Sequence, residues 1–215
     1  MFDMDNTLLK SSIPFQKMKA DLISFLVDSG LGTQTDYASL ATAAQVIEKA
    51  KRFNQAHTPD PAIEKHIWQI VTAHEASGMR HAVLETGVKE GLDKLKEAGF
   101  ILTVVTNNAY SAACQALKQS KIDAYFAQIV GREQMTALKP SPSGLLLIKE
   151  KYAREVDRWL MLGDSWIDGK AAAKAGIDFI SYKGDLPKMH EQGVYPVHAV
   201  DNFHQFVLWV FSSSS

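Results

Sequence analysis

Within the opening nine residues, Met1–Leu9 (MFDMDNTLL), the carboxylates Asp3 and Asp5 stand two apart, with the hydroxyl of Thr7 two further on. In extended chain that spacing puts the three side chains on one face, so they converge where a strand gives way to a loop. Asn6 suits such a turn, since Asn tolerates positive φ. Two close carboxylates serve a hard cation or a nucleophile working beside a general acid/base; a polar loop with an N-cap is the structural alternative. Three more clusters carry related chemistry. Thr106-Asn107-Asn108 closes the apolar run Phe100–Val105 just before a helical pattern, where a hydroxyl and backbone N–H groups make a phosphate cradle or a plain N-cap. Lys139-Pro140-Ser141-Pro142 precedes another helix. Pro140 holds Lys139 extended and Pro142 suits a first helical turn, so the ammonium is either solvated surface or a point cation for phosphate. Finally, Gly163-Asp164-Ser165-Trp166-Ile167-Asp168 follows the run Trp159–Leu162. Asp164 emerges at the strand end and Asp168 one turn into the next helix; an N-cap and a first-turn acid are the structural alternative there.

The elements that must position these groups fall into two patterns. No strand pattern interrupts residues 13–80, a helical block with stripes at Phe15, Met18, Leu22, Phe25 and Leu26, stopped by Gly30; at Ala43, Val46, Ile47, Ala50 and Phe53; and at Ile63, Ile67, Ile70, Val71 and His74, ending at Ser77-Gly78. Between the first two stripes, 31–36 reads as a polar loop. Thr58-Pro59-Asp60-Pro61 reads as a turn and a helix start. From Leu84 the rhythm alternates. Helices are predicted around Val88–Leu95, Tyr110–Ser120, Ser141–Arg154, Ile167–Ala175 and Phe203–Val210. Strands are predicted at Phe100–Val105, Ala127–Val130, Trp159–Leu162, Phe179–Tyr182 and Val197–Val200. Repeated strand–helix units of this length imply an α/β fold, a doubly wound parallel sheet with helices on both faces. Ligands of such sheets sit outside the carboxyl ends of the strands. The four polar clusters fall at those ends in order, and their agreement favours the functional reading of each.

Composition bounds the rest. The 215 residues allow one domain, or one domain with an insertion, and 46% apolar residues are enough for a sizeable core. A net charge of −1 gives no global attraction to nucleic acid or to anionic membranes. Cys114 is the only cysteine, so no internal disulfide forms; among the alanines of Ser111–Leu117 it is expected to be a buried apolar thiol. No apolar run reaches membrane-spanning length, and Met1 leads into acidic residues, unlike a secretory signal. A soluble cytoplasmic protein is expected. Ser212–Ser215 is expected to be a disordered tail.

Asp3-Met4-Asp5-Asn6-Thr7, Thr106, Lys139-Pro140 and Gly163-Asp164-Ser165-Trp166-Ile167-Asp168 resemble, in that order, the four motifs of the haloacid dehalogenase superfamily, and most closely its phosphoglycolate-phosphatase-like branch. The resemblance implies a Rossmann-like core over 1–10 and 83–211, and an all-helical cap over 11–82 that closes over the site. Asp3 would be the nucleophile that takes the phosphoryl group, and Asp5 the acid/base. Thr106, the Asn107 backbone N–H and Lys139 would bind the substrate phosphate. Mg²⁺ would be held by Asp3, Asp164 and the Asp5 backbone carbonyl, with Asp168 supporting Lys139 or the waters of the metal. Dehalogenating members lack an acid at the position of Asp5, which favours phosphate chemistry. The implied partner is a small phosphorylated metabolite, with no nucleic acid or membrane, and the chain is a monomer or homodimer. Cap groups such as Lys10, the 31–36 loop, Arg52, His57 and His66 are candidates to face the substrate, and none is assigned; Phe15, Met18, Leu22, Ile63, Ile67 and Ile70 are expected as cap core. Two departures stand out. Only Met1 and Phe2 precede Asp3, where the family usually has four or five apolar residues, so the first strand is expected to be a stub unless the true start lies upstream. Asn6 stands where glycine is common. A phosphoryl-transferring mutase or other hydrolase of this superfamily, and a non-catalytic binding protein of the same fold, are the alternative functions.

Overall fold

The computed structural model describes residues 1–56, 59–80 and 82–213; the expectations on His57, Thr58, Ser214 and Ser215 fall outside them. The chain divides into two compact units, Met1–Ser11 with Ala82–Ser215, and Ser12–His81.

A two-residue strand β1 (Leu9–Lys10) leads from the first unit to the helices of the second. Helix α1 (Phe15–Asp28) buries Met18, Leu22, Ile23 and Leu26, the spacing of one helical face. It ends at Gly30, whose φ of 73° is the left-handed conformation glycine adopts at least cost. The predicted 31–36 loop instead holds a short helix, α2 (Gln34–Ala38). The Thr33 backbone N–H donates to the Asp36 carboxylate at 2.8 Å, so a capping pair starts a helix too short to show periodicity. Helix α3 (Ala43–Ala56) buries Ala44, Val46, Ile47 and Ala50. Helix α4 (Pro61–Met79) starts on the Asp60 cap, with Pro61 in its first turn. Gly78 does not stop this helix. A Cβ there would lie 2.4 Å from the Ile13 Cα, so the glycine permits a close crossing of two backbone segments. The His66 ring stacks on Phe25, with centroids 4.2 Å apart, and Arg52 is exposed.

The first unit resumes at β2 (Val83–Leu84), which pairs antiparallel with β1. Then follow α5 (Val88–Glu97), β3 (Thr103–Val105), α6 (Tyr110–Gln119), β4 (Gln128–Val130), α7 (Ser143–Lys151), β5 (Leu160–Gly163), α8 (Trp166–Ala175), β6 (Asp178–Tyr182), α9 (Leu186–Glu191), β7 (His198–Val200) and α10 (Phe203–Ser213). Ser212 and Ser213 therefore belong to the last helix, not to a tail. The strands β3 and β4, and β5, β6 and β7, pair in parallel. Phe2 bridges Val104 on one side and Leu162 on the other, also in parallel, giving the order β4-β3-Phe2-β5-β6-β7. The stub is well anchored. Phe2 N donates to Thr103 O (2.8 Å), Asp3 N to Leu162 O (2.9 Å), Val105 N to Phe2 O (2.9 Å) and Leu162 N to Met1 O (3.0 Å).

Side chains alternate across this sheet. Met1, Val105, Met161 and Phe179 share a core with Leu145 and Ile148 of α7 and Ala171 and Ala172 of α8. On the other face Phe2 and Tyr182 meet the ring of Phe203, and Phe2 also that of Phe206, both in α10. Helices on both faces explain why the strands read as unbroken apolar runs. The fold is α/β, a Rossmann-like parallel sheet. Cys114 is half-buried on α6, where an apolar core position was expected. No helix among the described residues is long and apolar enough to cross a membrane.

Candidate active site

The polar clusters gather at the carboxyl ends of the parallel strands, each for a local reason. Asp3 leaves the sheet directly after the Phe2 bridge, and the chain turns back through Asn6 at φ 56°, closed by Asn6 N donating to Leu9 O at 2.6 Å. Thr106 follows β3 and is 1% exposed; its Oγ1 accepts from Asn108 N at 3.2 Å. It does not cap α6, whose cap position is Ala109. Asp164 follows Gly163 at the end of β5, and Ser165 rather than Asp164 caps α8.

Lys139 is the centre of the cluster. It is 2% exposed, and its Nζ donates to Asp3 Oδ1 at 2.6 Å, Asp168 Oδ1 at 2.6 Å and the Val105 carbonyl at 2.8 Å. All three ammonium hydrogens are thus placed, which a solvated surface lysine would not show. Its backbone is pinned as well. The Asn107 amide accepts from Lys139 N (2.8 Å) and donates to Lys139 O (3.1 Å), leaving the Asn107 backbone N–H without an acceptor among the described residues. Asp168 divides its two oxygens, Oδ1 to Lys139 and Oδ2 to the Ser165 N–H at 3.2 Å. One carboxylate therefore caps α8 and fixes the lysine.

Carboxylate oxygens of Asp3, Asp164 and Asp168 lie within 4.8 Å of one another. Burial pushes Asp3 well above the usual carboxylate range; Lys139 pulls it back, and Asp168, Asp164 and Asp5 push it further up. Burial and the charge of Asp168 push Asp164 up to about 7. Burial also raises Asp5, against the pull of Ser11 and Asn108. Burial pulls Lys139 down, but the carboxylates of Asp168 and Asp3 outweigh it and hold the ammonium above its usual value. The site is short of positive charge. A divalent cation among these oxygens would relieve the crowding and return the acids to their ionised forms. Asp168 already accepts a hydrogen bond on each oxygen, and oxygens of Asp3, Asp164 and Asp168 together could hold one. Thr7 is fully buried with its hydroxyl unpartnered among the described residues, and it makes no bond to this cluster.

Gly163 is set by the same packing. A Cβ there would stand 2.6 Å from Asp168 Cγ and 2.7 Å from its Cβ, and the near end of a side chain cannot swing aside. Gly163→Ala is expected to destabilise the protein by about 1–3 kcal/mol through overpacking and to lower turnover by displacing Asp168 from Lys139. Thermal melts and turnover measured together check this; an unchanged melting temperature would contradict it.

The Asn108 side chain carries no role in the sequence reading. Its amide donates to Asp5 Oδ2 at 2.7 Å across 103 residues of chain. The only signal was its place in the Thr106-Asn107-Asn108 run, which says nothing about where an amide points.

A sequence profile of haloacid dehalogenase-like hydrolases matches residues 1–182. A phosphoglycolate phosphatase of Vibrio cholerae is 29% identical over 182 residues, covering 81% of this chain and 79% of that protein. One of Agrobacterium fabrum is 29% identical over 211 residues, covering 94% and 88%. Among solved structures, one described as a predicted phosphoglycolate phosphatase from Haemophilus somnus superposes with a TM-score of 0.65 at 23% identity, covering 97% of this chain and 96% of that one.

Proposed function

The chain belongs to the haloacid dehalogenase-like hydrolase family and is a phosphomonoesterase, and from that premise we propose that it hydrolyses a small phosphorylated metabolite in the cytoplasm, with Mg²⁺ and through an aspartyl phosphate on Asp3. The observation that carries the reading is the buried Lys139 ammonium, 2.6 Å from both Asp3 and Asp168.

In this reading Lys139 keeps Asp3 ionised and aligned for attack on phosphorus, and neutralises charge on the transferring group. Thr106 and the unsatisfied Asn107 N–H hold phosphate oxygens, while the Asn107 side chain keeps Lys139 in place. Asp5 protonates the departing ester oxygen and later takes a proton from the attacking water. The Asp3 and Asp164 carboxylates and the Asp5 backbone carbonyl would hold Mg²⁺, which would supply charge neutralisation and orientation. Asp168 holds Lys139.

Phosphoglycolate is the first metabolite to try, because the similar proteins of Vibrio cholerae and Agrobacterium fabrum carry that name. The purified chain is expected to release inorganic phosphate from 4-nitrophenyl phosphate in Mg²⁺, to stop in chelator and to recover when Mg²⁺ is returned. Full activity in chelator would remove the metal from the mechanism, and no release from any of a panel of phosphomonoesters would remove the function.

A further inference from the structure

Asp5 is held asymmetrically. Its Oδ2 accepts the Asn108 amide at 2.7 Å, while its Oδ1 is buried and makes no hydrogen bond of normal geometry among the described residues, the Ser11 hydroxyl being the other side-chain group that draws on this carboxylate. Asn108 is itself fixed: it is 4% exposed, its N–H donates to Thr106 Oγ1 at 3.2 Å, and its carbonyl accepts from Arg132 N at 2.9 Å. A structural duty for the side chain would be to cap α6, but the cap of α6 is Ala109 and makes no side-chain bond. Only the NH₂ end of an amide donates to a carboxylate, so the oxygen facing Asn108 is always an acceptor. The carbonyl oxygen of a protonated carboxyl is the better acceptor, so the amide favours a proton on the other oxygen.

We infer that Asn108 is a positioning residue that fixes the carboxyl group of Asp5 for proton transfer, an effect read most clearly on aliphatic phosphomonoesters, whose alkoxide cannot leave unprotonated. The inference rests on the acid/base role proposed for Asp5 above. As an Asp3 oxygen bonds to phosphorus, the ester P–O bond breaks and its electron pair goes to the ester oxygen, which takes the Oδ1 proton and departs as an alcohol. Water then attacks phosphorus, its proton returns to Oδ1, and the Asp3 carboxylate is released. Without the amide the carboxyl group is free to rotate, and the proton is no longer confined to one oxygen.

The test compares kcat/KM for phosphoglycolate and for 4-nitrophenyl phosphate, because kcat/KM covers the chemistry through departure of the alcohol and 4-nitrophenolate leaves without a proton. In Asn108→Ala the aliphatic ester is expected to lose about 10- to 100-fold more than the aryl ester, a part of the roughly 10²- to 10⁴-fold that a positioned general acid contributes. Asp5→Asn is expected to show the same bias more strongly. If Asn108→Ala melts early, Asn108→Ser, which keeps a polar group at the position, carries the same comparison. Equal losses on both esters in the Asn108 variants, with the bias intact in Asp5→Asn, overturn the assignment of Asn108 alone. A wild type inactive on every ester of the panel, or an Asp5→Asn variant without bias, overturns it together with the reading beneath it.

Discussion

Lys139→Met is expected to lose stability and turnover together. The substitution keeps the length of the side chain but leaves the buried Asp3 and Asp168 carboxylates facing each other and the Val105 carbonyl without its donor. Breaking a buried pair by removing one partner costs about 3–5 kcal/mol, since the remaining charge is neither solvated nor compensated. In a chain of this size that lowers the melting temperature by roughly 6 °C or more. The loss is expected to be greatest in chelator, and added Mg²⁺ restores part of the stability by supplying the missing charge. Turnover stays down by about 10²- to 10³-fold even with the metal, the usual scale for one preorganised group that stabilises developing charge. Melts and kinetics on one preparation, with and without Mg²⁺, check both halves. A variant as stable as the wild type would show that the ammonium is not the counter-ion of the cluster.

Asp3→Asn is expected to separate those two effects. Burial and neighbouring acids push Asp3 well above its unfolded value, so at neutral pH its ionised form costs stability: the folded state binds protons more readily than the unfolded one does. The neutral amide removes that cost, and Lys139 keeps Asp168 as its partner at 2.6 Å. The melting temperature in chelator is therefore expected to stay level or rise, while kcat falls by at least about 10⁴-fold, as it does when a nucleophile is lost. Near-normal rates in Asp3→Asn would contradict the proposed mechanism; a large fall in melting temperature would contradict the account of the charge balance. A loss of stability at Lys139 with none at Asp3, two residues in direct contact, is a stricter demand than loss of activity at each.

The legible part of the molecule was carried by spacing and residue type. An apolar run ending in a carboxylate or hydroxyl marks the end of a buried strand wherever it occurs, and the runs before Thr106 and Asp164 did so in the chain. The α1, α3 and α4 stripes were long enough for periodicity to speak. What escaped was short, or decided by tertiary contact. The β1–β2 pair has two residues on each side, too few for alternation, and α2 is marked only by Thr33 and Asp36. Gly78 resembles a helix stop, yet it answers to the Ile13 backbone on another segment. Cys114 sits among alanines, but helix phase leaves it half-buried. Asn107 and Asn108 stood out in the sequence as backbone donors. Their side-chain amides, one bracketing the Lys139 peptide and one gripping Asp5, are visible only when residues 32 and 103 positions away come into contact. Asp168 could be read as a first-turn acid of α8 or as a support of Lys139, and it is both, because a carboxylate has two oxygens.

The central proposal is that Asp3 itself bonds to phosphorus before water does, and stereochemistry at phosphorus tests it most directly. A thiophosphate monoester made chiral by oxygen isotopes, hydrolysed in isotopically labelled water, is predicted to give product of retained configuration, because two in-line displacements invert twice. Inversion would mean a single attack by water, with Asp3 no more than a bystander in the charge balance.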